Sequence, residues 1–198
     1  TVLRTFPRPD VAEGTCYGRL DVPPQQAHLD ETVQRLRARW RAEGRRPPAA
    51  VFSSPLQRCA RLAQALAGDV WPGVRHDERI AEVSFGRWEG RPWAELPREE
   101  LNAWRADIAG CRPPGGESLQ DLAVRLLDFS AECLPRHGAD PDAEYVLVTH
   151  VGVIQVLGRV LRNAPLSGFG ATAVDYSSIS TLVLRDGSFA FESYNEAP

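Results

Sequence analysis

Apolar positions recur along this chain at two spacings, and stretches of the two kinds alternate. Spacing at every third or fourth residue predicts four helices, which cover about 27–43, 55–66, 118–133 and 154–161. Apolar runs of strand length lie between them and predict strands, at about 2–5, 50–53, 74–77 and 145–149. The chain ends in a predicted hairpin, with strands 180–184 and 188–191 around the turn residue Gly187.

Local signals place two of the helix starts. Pro55 suits the first turn of the second helix, because its backbone torsion is already helical and its missing N–H has no partner to lose there. Ser118 followed by Asp121 resembles a capping box, although Glu or Gln is preferred at the last place. The helix after Ser118 has one apolar face, formed by Leu119, Leu122, Leu126, Phe129 and Cys133.

Strands that alternate with helices predict an α/β fold with three layers, in which a mostly parallel sheet has helices on both faces and an antiparallel edge. The chain has 198 residues, of which 43% are hydrophobic, and can bury a full core. A single domain over 1–198 is therefore favoured over two very small ones. The segment 82–116 departs from the alternation and holds three of the five tryptophans. We expect it to form a helical cap.

Charge and cysteine content exclude several classes of protein. The net charge is −3 and the isoelectric point is near 5.8, so no basic field favours nucleic acid or an anionic membrane. The four cysteines are far apart and predict neither a disulfide framework nor a zinc site. We expect them to be reduced and mostly buried. No apolar leader precedes Val2 and no apolar run reaches roughly 18 residues, which predicts a cytoplasmic protein.

Two polar segments follow predicted strands, where such sheets bind their ligands. Ser53-Ser54-Pro55-Leu56-Gln57-Arg58 leads from a strand into a helix, so backbone N–H groups and the Arg58 guanidinium can face one anion. The alternative is a surface arginine in a first helical turn, with Ser54 as the cap. All 23 basic residues are arginine, so arginine content by itself is weak support for a site.

Val148-Thr149-His150-Val151-Gly152 has the same design, in which an apolar strand, a polar end and a small residue lead into a helix. A single histidine at a strand end is more often a hydrogen-bonded structural residue than a catalyst. His28, His76 and His137 lack even this context, and we expect them to be solvated.

The segment EVSFGRWEG, from Glu82 to Gly90, contains two carboxylates that are candidates for a general acid. Glu82 is favoured over Glu89. Trp88 between two glycines favours a structural elbow at Glu89, because a buried indole would anchor it and the glycines allow a sharp path. The alternative for Glu82 is a surface carboxylate beside a tryptophan-anchored turn.

Together and in this order, these segments, with GTCYGRLDVP at 14–23 and GGES at 115–118, resemble the histidine phosphatase superfamily of phosphoglycerate-mutase-like proteins. Within it they are most similar to the branch that contains α-ribazole phosphatase. The resemblance covers almost the whole chain and implies a phosphoglycerate-mutase-like fold. It also implies that Arg58 holds the phosphoryl group, that His150 directs a proton-bearing nitrogen at that group, and that Glu82 protonates the leaving oxygen. It implies no metal and no other cofactor.

The amino-terminal segment departs from the family pattern. Family members have Arg-His at the end of the first strand, and that histidine becomes phosphorylated. Aligned without gaps, the pair falls on Thr5 and Phe6; slipped by one, Arg4 keeps the arginine and Thr5 replaces the histidine. A phenyl ring cannot attack phosphorus, and a threonine hydroxyl without an adjacent base is a weak nucleophile. Arg4 or Arg8 could still lie over a bound anion.

Two functions remain open at this point. One is a degenerate or repurposed phosphatase that binds a small phosphorylated or anionic molecule, or a protein partner, without turnover. The alternative is an active phosphomonoesterase of the α-ribazole-5'-phosphate type that uses water or a substitute nucleophile. A single engineered substitution is the less attractive explanation, because both members of Arg-His differ in the ungapped alignment. Neither nucleic acid nor a membrane is expected as a partner, and a homodimer is possible.

Overall fold

The computed structural model describes residues 2–134, 143–186 and 188–198, and for residues 2–4 the backbone alone. Within these ranges the strands are β1 Val2–Thr5, β2 Ala50–Ser53, β3 Val74–His76, β4 Tyr145–Thr149, β5 Ile179–Arg185 and β6 Ser188–Glu196. The α-helices are α1 Gln26–Ala42, α2 Gln57–Ala67, α3 Arg98–Ala106, α4 Leu119–Cys133 and α5 Val151–Val160. Short 3-10 helices lie at Glu78–Ile80, Gly86–Trp88, Trp93–Glu95 and Leu166–Gly168.

The strands form a six-stranded sheet in the order β3-β2-β4-β1-β5-β6. The first four strands in this order are parallel, and β5 and β6 add an antiparallel edge. The three-layer α/β prediction is confirmed. Because the parallel strands run in one direction, their carboxyl ends meet at one edge of the sheet.

Each face of the sheet has its own apolar core. On one face α4 and α5 pack together, with Leu122, Leu126 and Ile154 fully buried. On the other face α1 and α2 pack over Val51 and Val148. Strands buried on both faces explain why their sequences are continuous apolar runs.

The capping box at Ser118 is present, because its hydroxyl accepts the Asp121 N–H and the Asp121 carboxylate accepts the Ser118 N–H. Two helix starts differ from the prediction. α2 begins at Gln57 and not at Pro55, since Leu56 is extended and its N–H bonds the Ser54 hydroxyl. α5 begins earlier than predicted, because the apolar run continues without a break from strand to helix and periodicity cannot separate them.

The hairpin strands are longer than predicted, and the turn residue Gly187 lies outside the described residues. The excursion 82–116 contains α3 and two 3-10 helices, which together form a third apolar cluster. Trp88 is its buried centre, and its indole N–H donates to Glu100 at 2.7 Å. This cluster holds the excursion against the segment around Cys16.

Candidate functional site

The register of β1 and β4 places Phe6 beside His150. The two strands pair in parallel with Thr5 opposite Thr149, so the residues that follow them leave the sheet side by side. The ring centroids of Phe6 and His150 are 5.2 Å apart, and both side chains are buried. Phe6, and not Thr5, is therefore the neighbour of His150.

Arg58 lies under two aromatic rings. Its guanidinium carbon is 5.0 Å from the Phe6 ring centre and 5.2 Å from that of Tyr17. Because Phe6 also contacts His150 at 5.2 Å, the guanidinium and the imidazole are at most about 10 Å apart, the sum of the two distances through Phe6. The structure thus brings Arg58 and His150 to the same site.

The Arg58 guanidinium is directed at the protein backbone. Nη1 donates to the Leu20 carbonyl at 2.9 Å and Nη2 to the Gly18 carbonyl at 2.5 Å, while Nε is buried without a hydrogen-bond partner. The side chain is fully buried. In the structure the guanidinium is therefore enclosed by protein groups. Its phosphate-binding role stays a prediction.

His150 is the N-cap residue of α5 and is fully buried. Its Nε2 is 2.8 Å from the Ser54 hydroxyl and 3.4 Å from the Cys59 sulfur. Burial lowers the pKa of His150 well below its usual value, and the nearby guanidinium groups lower it further, Arg58 most strongly. The imidazole is therefore neutral near pH 7.

Glu82 lies at the same end of the sheet and is 8% exposed. Its carboxylate accepts the Val83 N–H at 3.0 Å and the Gly152 N–H at 3.3 Å. Burial raises the pKa of Glu82, against the opposing charge of Arg58. A methyl group at Gly152 would collide with this carboxylate, which explains the glycine two residues after His150.

Glu89 has the structural role that the sequence predicts. Its carboxylate accepts the Phe85 N–H at 2.8 Å and the Arg19 N–H at 3.0 Å, which closes the elbow around the buried Trp88. Glu117, in the GGES segment, pairs with Arg19 at 3.2 Å and Arg125 at 3.1 Å. Both arginines also donate to the Glu82 carbonyl, so these pairs lie beside Glu82.

The other predicted site residues are Thr5, one of the two nucleophile positions, and the anion contacts Arg4 and Arg8. Thr5 is fully buried and its hydroxyl donates to the Asp175 carbonyl at 2.6 Å. Arg8 is exposed, and its guanidinium carbon lies 5.8 Å from the Tyr176 ring centre. Tyr176 also packs on Phe6, with 5.6 Å between the ring centroids, so Arg8 lies at the rim of the site. The Arg4 side chain lies outside the described part of the structure.

The histidines that were expected to be solvated differ from one another. His76 is exposed. His28 is half-buried, and its Nδ1 accepts the Arg8 backbone N–H at 2.7 Å. This bond ties the amino-terminal loop to α1. His137 lies outside the described residues.

Sequence reasoning missed two contributors to the site. Tyr17 covers Arg58, and its hydroxyl is 3.3 Å from that of Tyr176. The sequence indicates Ser54 only as a possible helix cap, yet its hydroxyl lies 2.8 Å from His150 Nε2. Tyr17 belongs to the Cys16-Tyr17-Gly18 segment, but nothing local in that segment indicates a ring stacked on an arginine 41 positions later.

Within the described ranges, no group of three or more His, Cys, Asp or Glu residues is arranged to hold a metal ion. None of the helices described there is long and apolar enough to cross a membrane. All four cysteines are free thiols, with Cys16 and Cys59 buried and the other two half-buried.

The fold and the site define an α/β protein of the phosphoglycerate-mutase-like type, with an arginine, a carboxylate and a histidine at the carboxyl end of the sheet. Residues 10–197 match the histidine phosphatase superfamily, branch 1, and the chain belongs to this family. The matched region begins after Thr5 and Phe6.

The chain is 35% identical over 136 residues to glucosyl-3-phosphoglycerate phosphatase of Mycobacterium tuberculosis, an alignment that covers 65% of this chain and 60% of that protein. It is 26% identical over 190 residues to metal-independent phosphoserine phosphatase of Arabidopsis thaliana, an alignment that covers 93% of this chain and 76% of that protein. The native structure of the mycobacterial glucosyl-3-phosphoglycerate phosphatase aligns with a TM-score of 0.81 at 25% identity, over 100% of this chain and 98% of that one. A putative α-ribazole-5'-P phosphatase from Escherichia coli has the same fold, with a TM-score of 0.81 at 19% identity. The alignment covers 100% of this chain and 97% of that one.

The opposite pKa shifts of Glu82 and His150 predict opposite contributions to stability across pH. The folded state holds the Glu82 proton more tightly than the unfolded chain, so Glu82 lowers the free energy of unfolding as pH rises above 4.5. The unfolded chain takes up a proton at His150 below pH 6.5 while the folded state does not, so stability falls as pH drops through that range.

The stability of Glu82→Gln relative to the wild type should therefore increase as pH rises above 4.5, by at most about 1.4 kcal/mol per pH unit. Urea denaturation at several pH values measures this difference. Glu13→Gln, which changes an exposed carboxylate, is the control. A stability difference that does not change with pH for Glu82→Gln contradicts the prediction.

Proposed function

We propose that this chain is a histidine phosphatase family member that works without a phosphohistidine. It is a degenerate or repurposed phosphatase whose site binds a small phosphorylated or anionic molecule. The position of Phe6 carries the proposal. Phe6 stands beside His150 at the end of β1, where the family pattern has its nucleophilic histidine. A phenyl ring has no lone pair with which to attack phosphorus.

The charge of the site supports anion binding. Among the described residues, no carboxylate forms an ion pair with the buried Arg58, and its Nε has no hydrogen-bond partner. The pKa shifts of His150 and Glu82 favour the neutral form of both groups. The site therefore has an excess of positive charge, and a phosphate oxygen would supply the missing acceptor. Access to Arg58 requires the rings of Phe6 and Tyr17 to move aside, since both lie on the guanidinium.

The wild-type chain is expected to form no phosphoenzyme and to hydrolyse p-nitrophenyl phosphate slowly or not at all. Intact mass spectrometry after quenching without acid detects a phosphoryl group on the protein, and absorbance detects nitrophenol. An active member of the family, treated in parallel, is the positive control. Robust turnover with phosphate trapped on His150 would overturn the proposal.

A second candidate function is a phosphomonoesterase of the α-ribazole-5'-phosphate type with a substitute nucleophile or water. The hydrogen bond between Ser54 and His150 favours it, because a neutral imidazole can take the hydroxyl proton as Oγ attacks phosphorus. Glu82, with its raised pKa, would give its proton to the leaving oxygen. Water would then attack the phosphoserine and give a proton to the Glu82 carboxylate, while His150 returns its proton to the departing Oγ. Under this mechanism Ser54→Ala loses all turnover and Ser53→Ala, the adjacent buried serine, does not.

The same proposal includes a cytoplasmic location and no nucleic-acid or membrane partner. The net charge of −3 and the four free cysteines support it. The homodimer stays a prediction.

A further inference from the structure

A cavity of about 320 Å³ lies at the opposite end of α5 from His150. Its lining residues are Gln155, Arg159, Arg162, Thr172, Phe191 and Tyr194. Arg159 follows His150 by nine positions, which corresponds to about 13 Å along the helix. The cavity is therefore separate from the Arg58 site, and its volume is in the range of small-molecule pockets.

Two arginines give this cavity a positive charge. Among the described residues, neither Arg159 nor Arg162 forms an ion pair with a carboxylate, and none of the residues that line the cavity is acidic. Arg159 donates to the carbonyls of Pro165, at 3.2 Å, and Gly168, but its Nε is buried without a partner. A buried donor without an acceptor costs free energy, which a bound anion would recover.

Arg162 has donors left for a ligand. Its Nε donates to the Gly158 carbonyl at 2.6 Å, which leaves both terminal nitrogens without a bond to a described residue. Its guanidinium carbon lies 4.8 Å from the Phe191 ring centre. This stacking holds the charge at the cavity wall.

Aromatic rings form the apolar part of the cavity. Phe191 and Tyr194 pack edge to face, with 4.9 Å between their centroids. Burial raises the pKa of the Tyr194 phenol, and the charges of Arg159 and Arg162, which line the same cavity, oppose this. The Gln155 amide is already engaged, since it donates to the Thr172 carbonyl at 2.9 Å and accepts the Gly170 N–H at 2.7 Å. It fixes the loop that forms the far wall.

We propose that this cavity binds a small aromatic anion, a planar ring that carries a phosphate, phosphonate or carboxylate group. The anionic group lies between Arg159 Nε, the terminal nitrogens of Arg162 and the Tyr194 hydroxyl, which are all donors. The ring packs against Phe191 and Tyr194. This site is independent of the function proposed for the Arg58 site.

Phenylphosphonate, which no phosphatase can hydrolyse at its carbon–phosphorus bond, is the probe. Calorimetry or NMR titration of the wild-type chain should show binding, and Arg162→Gln should weaken it about tenfold or more. Tyr194→Phe, which keeps the ring and removes one donor, should weaken it less. Arg61→Gln removes an exposed arginine from α2, on the other face of the sheet, and should leave the affinity unchanged.

Three results overturn the proposal. The first is no binding of phenylphosphonate by a folded wild-type chain. The second is equal affinity for methylphosphonate, which lacks the ring. The third is binding that Arg58→Ala abolishes and Arg162→Gln does not change, because the probe then occupies the Arg58 site. Chemical-shift changes in wild type confined to residues that line the cavity support the proposal.

Discussion

The double variant Thr5→Arg, Phe6→His is expected to hydrolyse p-nitrophenyl phosphate about 10³-fold faster than the wild type. The new imidazole would stand beside His150 at the end of β1, where the register now places the phenyl ring. Its nitrogen would attack phosphorus while nitrophenolate leaves, with Glu82 as the proton donor. Water would then release phosphate from the histidine. The initial rate of nitrophenol release measures the gain.

The control for this experiment is Thr5→Arg, Phe6→Asn, which has a polar side chain at position 6 but no nucleophile. Phe6→His alone separates the contribution of the imidazole from that of the arginine. The prediction fails if the histidine variant folds, as judged by urea denaturation, and is no faster than the asparagine variant. That result would mean that the remaining groups around Arg58 no longer form a catalytic site.

Phe6→Ala is expected to lower the free energy of unfolding by about 3–5 kcal/mol, the usual cost of truncating a buried phenylalanine. The ring is 1% exposed, contacts His150 and Tyr176, and covers the Arg58 charge. Truncation removes apolar contacts and leaves a cavity beside a guanidinium. Urea denaturation in buffer without phosphate or sulfate measures the loss.

The same variant tests what Phe6 does to anion access. With the ring removed, Arg58 faces the cavity, so added phosphate should stabilise Phe6→Ala more than it stabilises the wild type. Phe189→Ala is the matched control. Phe189 is half-buried on the other face of the sheet, so its truncation should lower the free energy of unfolding less than Phe6→Ala does. A loss for Phe6→Ala no larger than for Phe189→Ala, or an equal phosphate effect on wild type, contradicts the expectation.

Much of the fold follows from local patterns. The strand–helix alternation and the Ser118 capping box were predicted from neighbouring residues, because a strand, a helix or a cap depends on side chains a few positions apart. The start of α5 was not predicted correctly, because an unbroken apolar run has no period that separates the strand from the helix.

Part of the candidate site could likewise be predicted from the sequence, and part could not. Arg58 and His150 follow strands, and the carboxyl ends of parallel strands share one edge, so their proximity could be predicted without coordinates. The stacking of Tyr17 on Arg58 could not, because it joins residues from separate loops. The hydrogen bonds from Arg58 to the carbonyls of Gly18 and Leu20 could not be predicted either, because every backbone carbonyl offers the same acceptor.

The sequence alone shows that the segment at the end of β1 contains no histidine and that Arg58, Glu82 and His150 are present. The tertiary structure makes Phe6, and not Thr5, the neighbour of His150, because the pairing of β1 with β4 sets which residue lies there and no local pattern encodes that pairing. It also decided that the Arg58 guanidinium is enclosed. Enclosure depends on which rings from distant segments pack over the charge, and this is a property of the assembled core.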